Sequence, residues 1–161
     1  MLVHTFGMPI ERRDISDALF EETLFQILVE HGFSPTRSGD LISLSGVGVE
    51  EGDHSVDLII NLVEMDAHRI LEFSCILATL PLSFDEAVLI SAHGNQTCLT
   101  VKFTPVENLN QQLHQVKASM VVFADDLAKN ELASMLYLFI KEVDAVDNQL
   151  IQMSSKASRR R

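Results

Sequence analysis

Apolar residues near the end of the chain recur at alternating steps of four and three: Leu132, Leu136, Phe139, Val143, Val146, Leu150 and Met153. That spacing lines one face of a helix and predicts one long closing helix from Asp125 to Met153 that covers the core. Asp125 and Asp126 precede it, where a short carboxylate accepts orphan N–H groups and meets the positive end of the helix dipole. Tyr137, Lys141, Asp144 and Asn148 fall on the opposite side and are expected to face water.

The earlier pattern is mixed. Residues 1–14 read as an N-terminal arm without a clear period. A first helix is predicted from about Ile15 to His31, with Phe20, Leu24, Ile27 and Leu28 on its apolar stripe and Gly32 as its stop. Pro35 and Gly39 mark a turn. Strands are predicted at Leu41–Ser45, Val56–Val63 and His68–Ala78, the last two forming an antiparallel hairpin across Glu64–Ala67. Ser83-Phe-Asp-Glu86 fits a capping box and opens a short helix ending at Gly94-Asn95. Strands follow at Thr97–Thr104 and Leu113–Phe123, separated by a polar turn over Pro105–Asn110. The expected fold is therefore α+β, in the order α-β-β-β-α-β-β-α, with a mainly antiparallel five-stranded sheet covered by helices on one face. Residues 1–153 read as a single domain and residues 154–161, with Lys156 and Arg159–Arg161, as a flexible basic tail.

Composition narrows the class. The chain has 161 residues, long enough for a self-sufficient core, and 47% of them are hydrophobic. A net charge of −11 argues against a nucleic-acid footprint, which needs a positive surface. No stretch approaches the roughly 18 uncharged apolar residues of a membrane helix. Pro9, Glu11, Arg12, Arg13 and Asp14 interrupt any secretory signal. Cys75 and Cys98 lie in apolar strand-like runs and are read as reduced and buried. Cytoplasmic is the simplest compartment.

Candidate chemistry is sparse. Gly46-Val-Gly48 lacks the third glycine, the helix and the lysine of a phosphate loop. Glu64, Asp66 and His68 alternate across a turn, but a metal site needs three or four convergent ligands. The six histidines share no ligand spacing. His31 suits the negative end of a helix. There is no GxSxG, and neither cysteine has a neighbouring histidine in sequence. No catalytic residue, cofactor or metal is expected, and the chain is not expected to be an enzyme.

Lengths point elsewhere. Leu127 to Met153 would span about 40 Å as helix, whereas a usual strand covers about 20 Å. The helix end carrying Val146, Leu150 and Met153 is expected to overhang the sheet and to need a cover. Either the N-terminal arm supplies it, or a protein partner does, a second copy included. Val146, Leu150 and Met153 are thus the candidate partner-binding residues, in a homodimer or with another protein.

The element order, with its small acidic chain and long closing helix, resembles the type III secretion chaperone-like fold. From Ser83 to Leu150 the chain resembles the YbjN-like family of bacterial proteins, often called sensory transduction regulators. The residues that carry the likeness are Ser83-Phe-Asp-Glu-Ala-Val-Leu89, Gly94-Asn95, Thr100-Val-Lys-Phe103 and Phe123-Ala-Asp-Asp126. The resemblance implies a regulatory or chaperone-like protein-binding module without catalytic residues, in a fold whose members often dimerise. The alternatives are a type III secretion chaperone for an effector, and a small ligand-sensing domain or hydrolase.

Overall fold

The core is built from alternation in the strands and broad apolar arcs on the helices. In the computed structural model the described residues are 17–39, 41–47, 56–65, 68–77, 82–108, 113–125 and 128–158. They form, in chain order, α1 (Asp17–Glu30), β1 (Pro35–Ser38), β2 (Leu41–Val47), β3 (Val56–Met65), β4 (His68–Ile76), α2 (Phe84–Thr97), β5 (Lys102–Asn108), β6 (Leu113–Phe123) and α3 (Lys129–Ser158). The strands make one antiparallel sheet ordered β1-β2-β3-β4-β6-β5.

One strand is additional to the five expected. Pro35–Ser38 pairs with β2 from Pro35↔Leu44 to Ser38↔Leu41, so Pro35 opens an edge strand, a position that tolerates its missing N–H. Several boundaries also move. α2 continues past Gly94 to Thr97, and β5 starts at Lys102 and runs through Pro105. α3 continues to Ser158, which shortens the expected tail; residues 159–161, the arm at 1–14, Asp66 and Asp126 lie outside the described residues.

Local chemistry fixes the helix ends. α1 stops where Gly32 takes φ of 84°. The Gly32 N–H then donates to Val29 O and the Phe33 N–H to Leu28 O, closing the carbonyl end of the helix. The His31 ring nitrogen Nδ1 lies 2.8 Å from Ile27 O. At α2, the Glu86 N–H donates to Ser83 Oγ and the Ser83 N–H to Glu86 Oε2, the complete capping box read from the sequence. Asp125, expected at the start of α3, links two strands. Its two oxygens take the Arg69 N–H at 3.0 Å and the His68 ring at 2.8 Å, tying the end of β6 to the start of β4.

Inward strand positions carry the core: Ile42 and Leu44, Val56, Leu58 and Ile60, Leu71, Phe73 and Cys75, Val116, Ala118 and Met120, and Phe103. Leu24, Ile27 and Leu28 of α1 and Leu132, Leu136, Phe139, Ile140 and Val143 of α3 complete the same cluster. Phe73 and Phe139 pack as tilted rings 6.0 Å apart at its centre. Since α1 packs against α3 while α3 covers the sheet, α3 is buried on a wider arc than one stripe. Asp144 is accordingly buried, against the expectation that it faces water, while Tyr137 and Lys141 are exposed as expected.

Candidate functional site

Two of the three residues expected to bind a partner, Val146 and Leu150, are buried within the chain. They belong to the same core cluster as Leu24, Ile27 and Leu28 of α1, so these two side chains find cover within the chain. The side chain of Met153 lies outside the described residues. α1 and α2 lie beside α3 on the same face of the sheet, so α3 is lined by helices as well as strands.

Buried polarity marks the first candidate for chemistry. Asp144 and Asp147, on successive inward positions of α3, are buried, Asp147 completely. Cys75 of β4 lies within their field. Burial pushes its thiol up to about 12, and the negative charges of Asp147 and Asp144 push in the same direction. Such a thiol stays protonated at neutral pH and is no nucleophile. Asp147 was legible in principle, since it falls four residues after Val143 and three before Leu150, on the apolar stripe itself.

The second cysteine is no better activated. Burial raises the Cys98 thiol, the Thr97 hydroxyl partly offsets this, and Glu142 raises it further. Both cysteines are free thiols. Of the candidate metal ligands only the His68 side chain is among the described residues, and Asp125 engages it; the side chains of Glu64 and Asp66 lie outside them.

Glu142 of α3 makes a tighter arrangement than any of these. Its carboxylate accepts from the backbone N–H groups of Leu99, Thr100 and Val101 at 3.0–3.3 Å and from the Thr100 hydroxyl at 2.9 Å. Burial alone would raise its carboxyl. The Thr100 hydroxyl and then the three N–H groups outweigh that and hold it below the usual range. The contact pins the α2–β5 loop to α3 and leaves Leu99 95% exposed.

Exposed apolar side chains lie on α2 (Phe84, Val88 and Leu89), at Leu99, and on the sheet. All three helices pack on one face, and the other is open among the described residues. Cross-strand partners place Val63, Ile70 and Phe123 in one row of that face, Leu41, Asn61, Glu72 and Val121 in the next, and Ser43, Ile59, Ser74, Ser119 and Lys102 in a third. Phe123 is 68% and Val121 60% exposed. The Glu72 carboxylate accepts from Lys117 Nζ at 2.9 Å within the same face. Sequence alternation showed which residues point outward; it could not show that no helix covers them.

The whole architecture, helices on one face and this strand order, has solved counterparts. YbjN from E. coli, described as a candidate transcription regulator, matches over 83% of this chain and 93% of its own, with a TM-score of 0.59 at 15% sequence identity. This chain has the YbjN fold. An uncharacterized protein from Methanothermobacter thermautotrophicus shares it, with a TM-score of 0.51, 21% identity and coverage of 85% of this chain and 97% of that one. No family model and no curated protein sequence matches the chain. Neither YbjN-fold neighbour is described as an enzyme. Among the described residues no helix is long and apolar enough to cross a membrane.

Proposed function

We propose that this protein is a non-enzymatic regulatory module of YbjN-like type that acts by binding protein, in the cytoplasm, as a single folded unit. The observation that carries the reading is the fold shared with YbjN over most of both chains. The distribution of apolar side chains supports it. Leu99, Leu89, Val121 and Phe123 are all well exposed, which suits surfaces that meet other surfaces. The two thiols are held protonated, which suits structure better than nucleophilic chemistry.

The test is affinity capture with the purified chain, followed by titration of each captured protein against it from purified components. A pair that reconstitutes with a Kd of about 1 μM or tighter is the expected result. Turnover of ester, phosphoester or glycoside reporters above background, lost on Cys98→Ser or Asp147→Asn in variants that stay folded, would replace this reading with an enzymatic one.

A further inference from the structure

A sheet usually buries one face and wets the other. Here the wet face is unusually apolar. Phe123, Val121, Ile59, Leu41 and Ile76 are all exposed on it. They form two apolar groups, Leu41, Ile59 and Ile76 diagonally across β2–β4 and Val121 with Phe123 on β6, with Asn61, Glu72, Ser74 and Ser119 between them. Monomeric proteins seldom leave so much apolar surface open on one face.

Its charge sets it apart from the rest of the molecule. The chain carries −11. On the open face the described charged side chains are Asp57, Glu72, Lys102 and Lys117, with Asp125 at its rim beside His68 and Phe123. These three carboxylates and two ammonium groups give a net charge of −1 with His68 neutral. Two copies of so acidic a chain repel each other through most orientations. They are least repelled when these nearly neutral faces meet. Glu72 and Lys117, already paired, present both signs near the middle of the patch, as an interface that packs against itself requires.

Size fits as well. Six strands at about 4.8 Å spacing and seven residues at about 3.3 Å rise give a face of roughly 650 Å² in projection. Side-chain relief adds to that, and a stable pair needs about 800 Å² from each partner.

The sheet edges offer no competing route. β1 is four residues long and begins with Pro35, and β5 has Pro105 in mid-strand. Short edges and edge prolines oppose strand addition.

We propose that the open sheet face is the contact between two copies of this chain, packed face to face about Val121, Phe123, Ile59 and Ile76. This deepens the protein-binding reading, on which it rests, by naming the surface and the partner. Helix α3 stays on the far side of each sheet, away from the contact.

Sedimentation equilibrium on the full chain, with Val121→Lys and, separately, Ile59→Lys, tests it. The wild type is expected to be dimeric at micromolar concentration, and each lysine to raise the dimer Kd by about 100-fold. Leu89→Asp and Leu99→Asp, on exposed sites off the face, should leave the dimer intact. Circular dichroism confirms that each variant is folded, and the two lysines sit on different strands so that one misfolded variant leaves the other to decide. A wild type that is monomeric at 100 times that concentration overturns the second copy as occupant. It leaves the protein-binding reading standing, since captured partners are tested separately. A dimer that survives both lysines, or falls to Leu89→Asp or Leu99→Asp, overturns the face.

Discussion

Gly94 lies in mid-helix, where propensity alone favours replacing it with alanine by about 1 kcal/mol. The structure predicts the opposite sign. A Cβ on Gly94 would lie 2.6 Å from Phe103 Cδ2 and 2.7 Å from Cγ, whereas carbon atoms pack at about 3.5–4.0 Å. The ring would have to retreat by about 1 Å. It is almost wholly buried, and its backbone is held by Asn95, which donates to Phe103 O at 2.9 Å and accepts the Phe103 N–H at 2.8 Å. Overpacking of this kind costs about 1–3 kcal/mol, and the pinned strand places it at the upper end. Less the propensity gain, Gly94→Ala should destabilise by about 2 kcal/mol, a fall in Tm of about 4–8 °C at this chain length. Thermal and urea unfolding followed by circular dichroism measure it, with an unchanged m-value showing that stability alone has moved. The same substitution in a Phe103→Leu background should cost much less, because the clashing ring is gone. If Gly94→Ala raises Tm, or costs the same in both backgrounds, the close approach of α2 to β5 is wrong.

Two other substitutions test the parts of α3. Glu142→Gln should cost about 1–2 kcal/mol at pH 7, since hydrogen bonds to a charged acceptor are lost but the site is partly wet. The folded carboxyl titrates below its unfolded value of 4.5. Its contribution is therefore complete above that pH and lost as pH falls through the lower folded value. The deficit of the glutamine variant should shrink on acidification below pH 4.5, and a deficit constant with pH would show that the carboxylate charge is not what binds the loop. Phe139→Ala should cost about 3–5 kcal/mol, against less than about 0.5 for the exposed Lys141→Ala; similar losses at the two sites would mean the helix is turned the wrong way.

Much of this fold was legible where one signal dominated. Leu113–Phe123 is a strand with the boundaries read from strict alternation, and the Ser83 capping box places the start of α2 correctly. The misreadings each have a competing cause. Leu99, Val101 and Phe103 alternate like a strand, yet residues 99–101 spend their N–H groups on Glu142, forty residues away and invisible to any local pattern. Pro35–Ser38 has no apolar alternation to betray it and is held by β2. Asp144 looks wet on a single stripe and is dry because α3 has two neighbours. Val146 and Leu150, expected at the helix end, are likewise buried within the chain. The open face was hidden because alternation fixes direction, while coverage is decided by where the helices go.

The position of β6 between β4 and β5 has a consequence for the order in which the sheet can be finished. β1 to β4 each pair with the next strand in sequence, so they can assemble as they are made. The β4–β6 rungs, from Ile76↔Lys117 to Ile70↔Phe123, close loops of roughly forty residues or more. At about 5–20 residues per second of synthesis, the edge of β4 stands unpaired for seconds while α2, β5 and β6 follow. Leu71, Phe73 and Cys75, fully enclosed in the finished protein, lie on that waiting strand. A strand that carries part of the deepest core is thus also the last of the first four to gain its second neighbour, which it cannot do before β6 arrives.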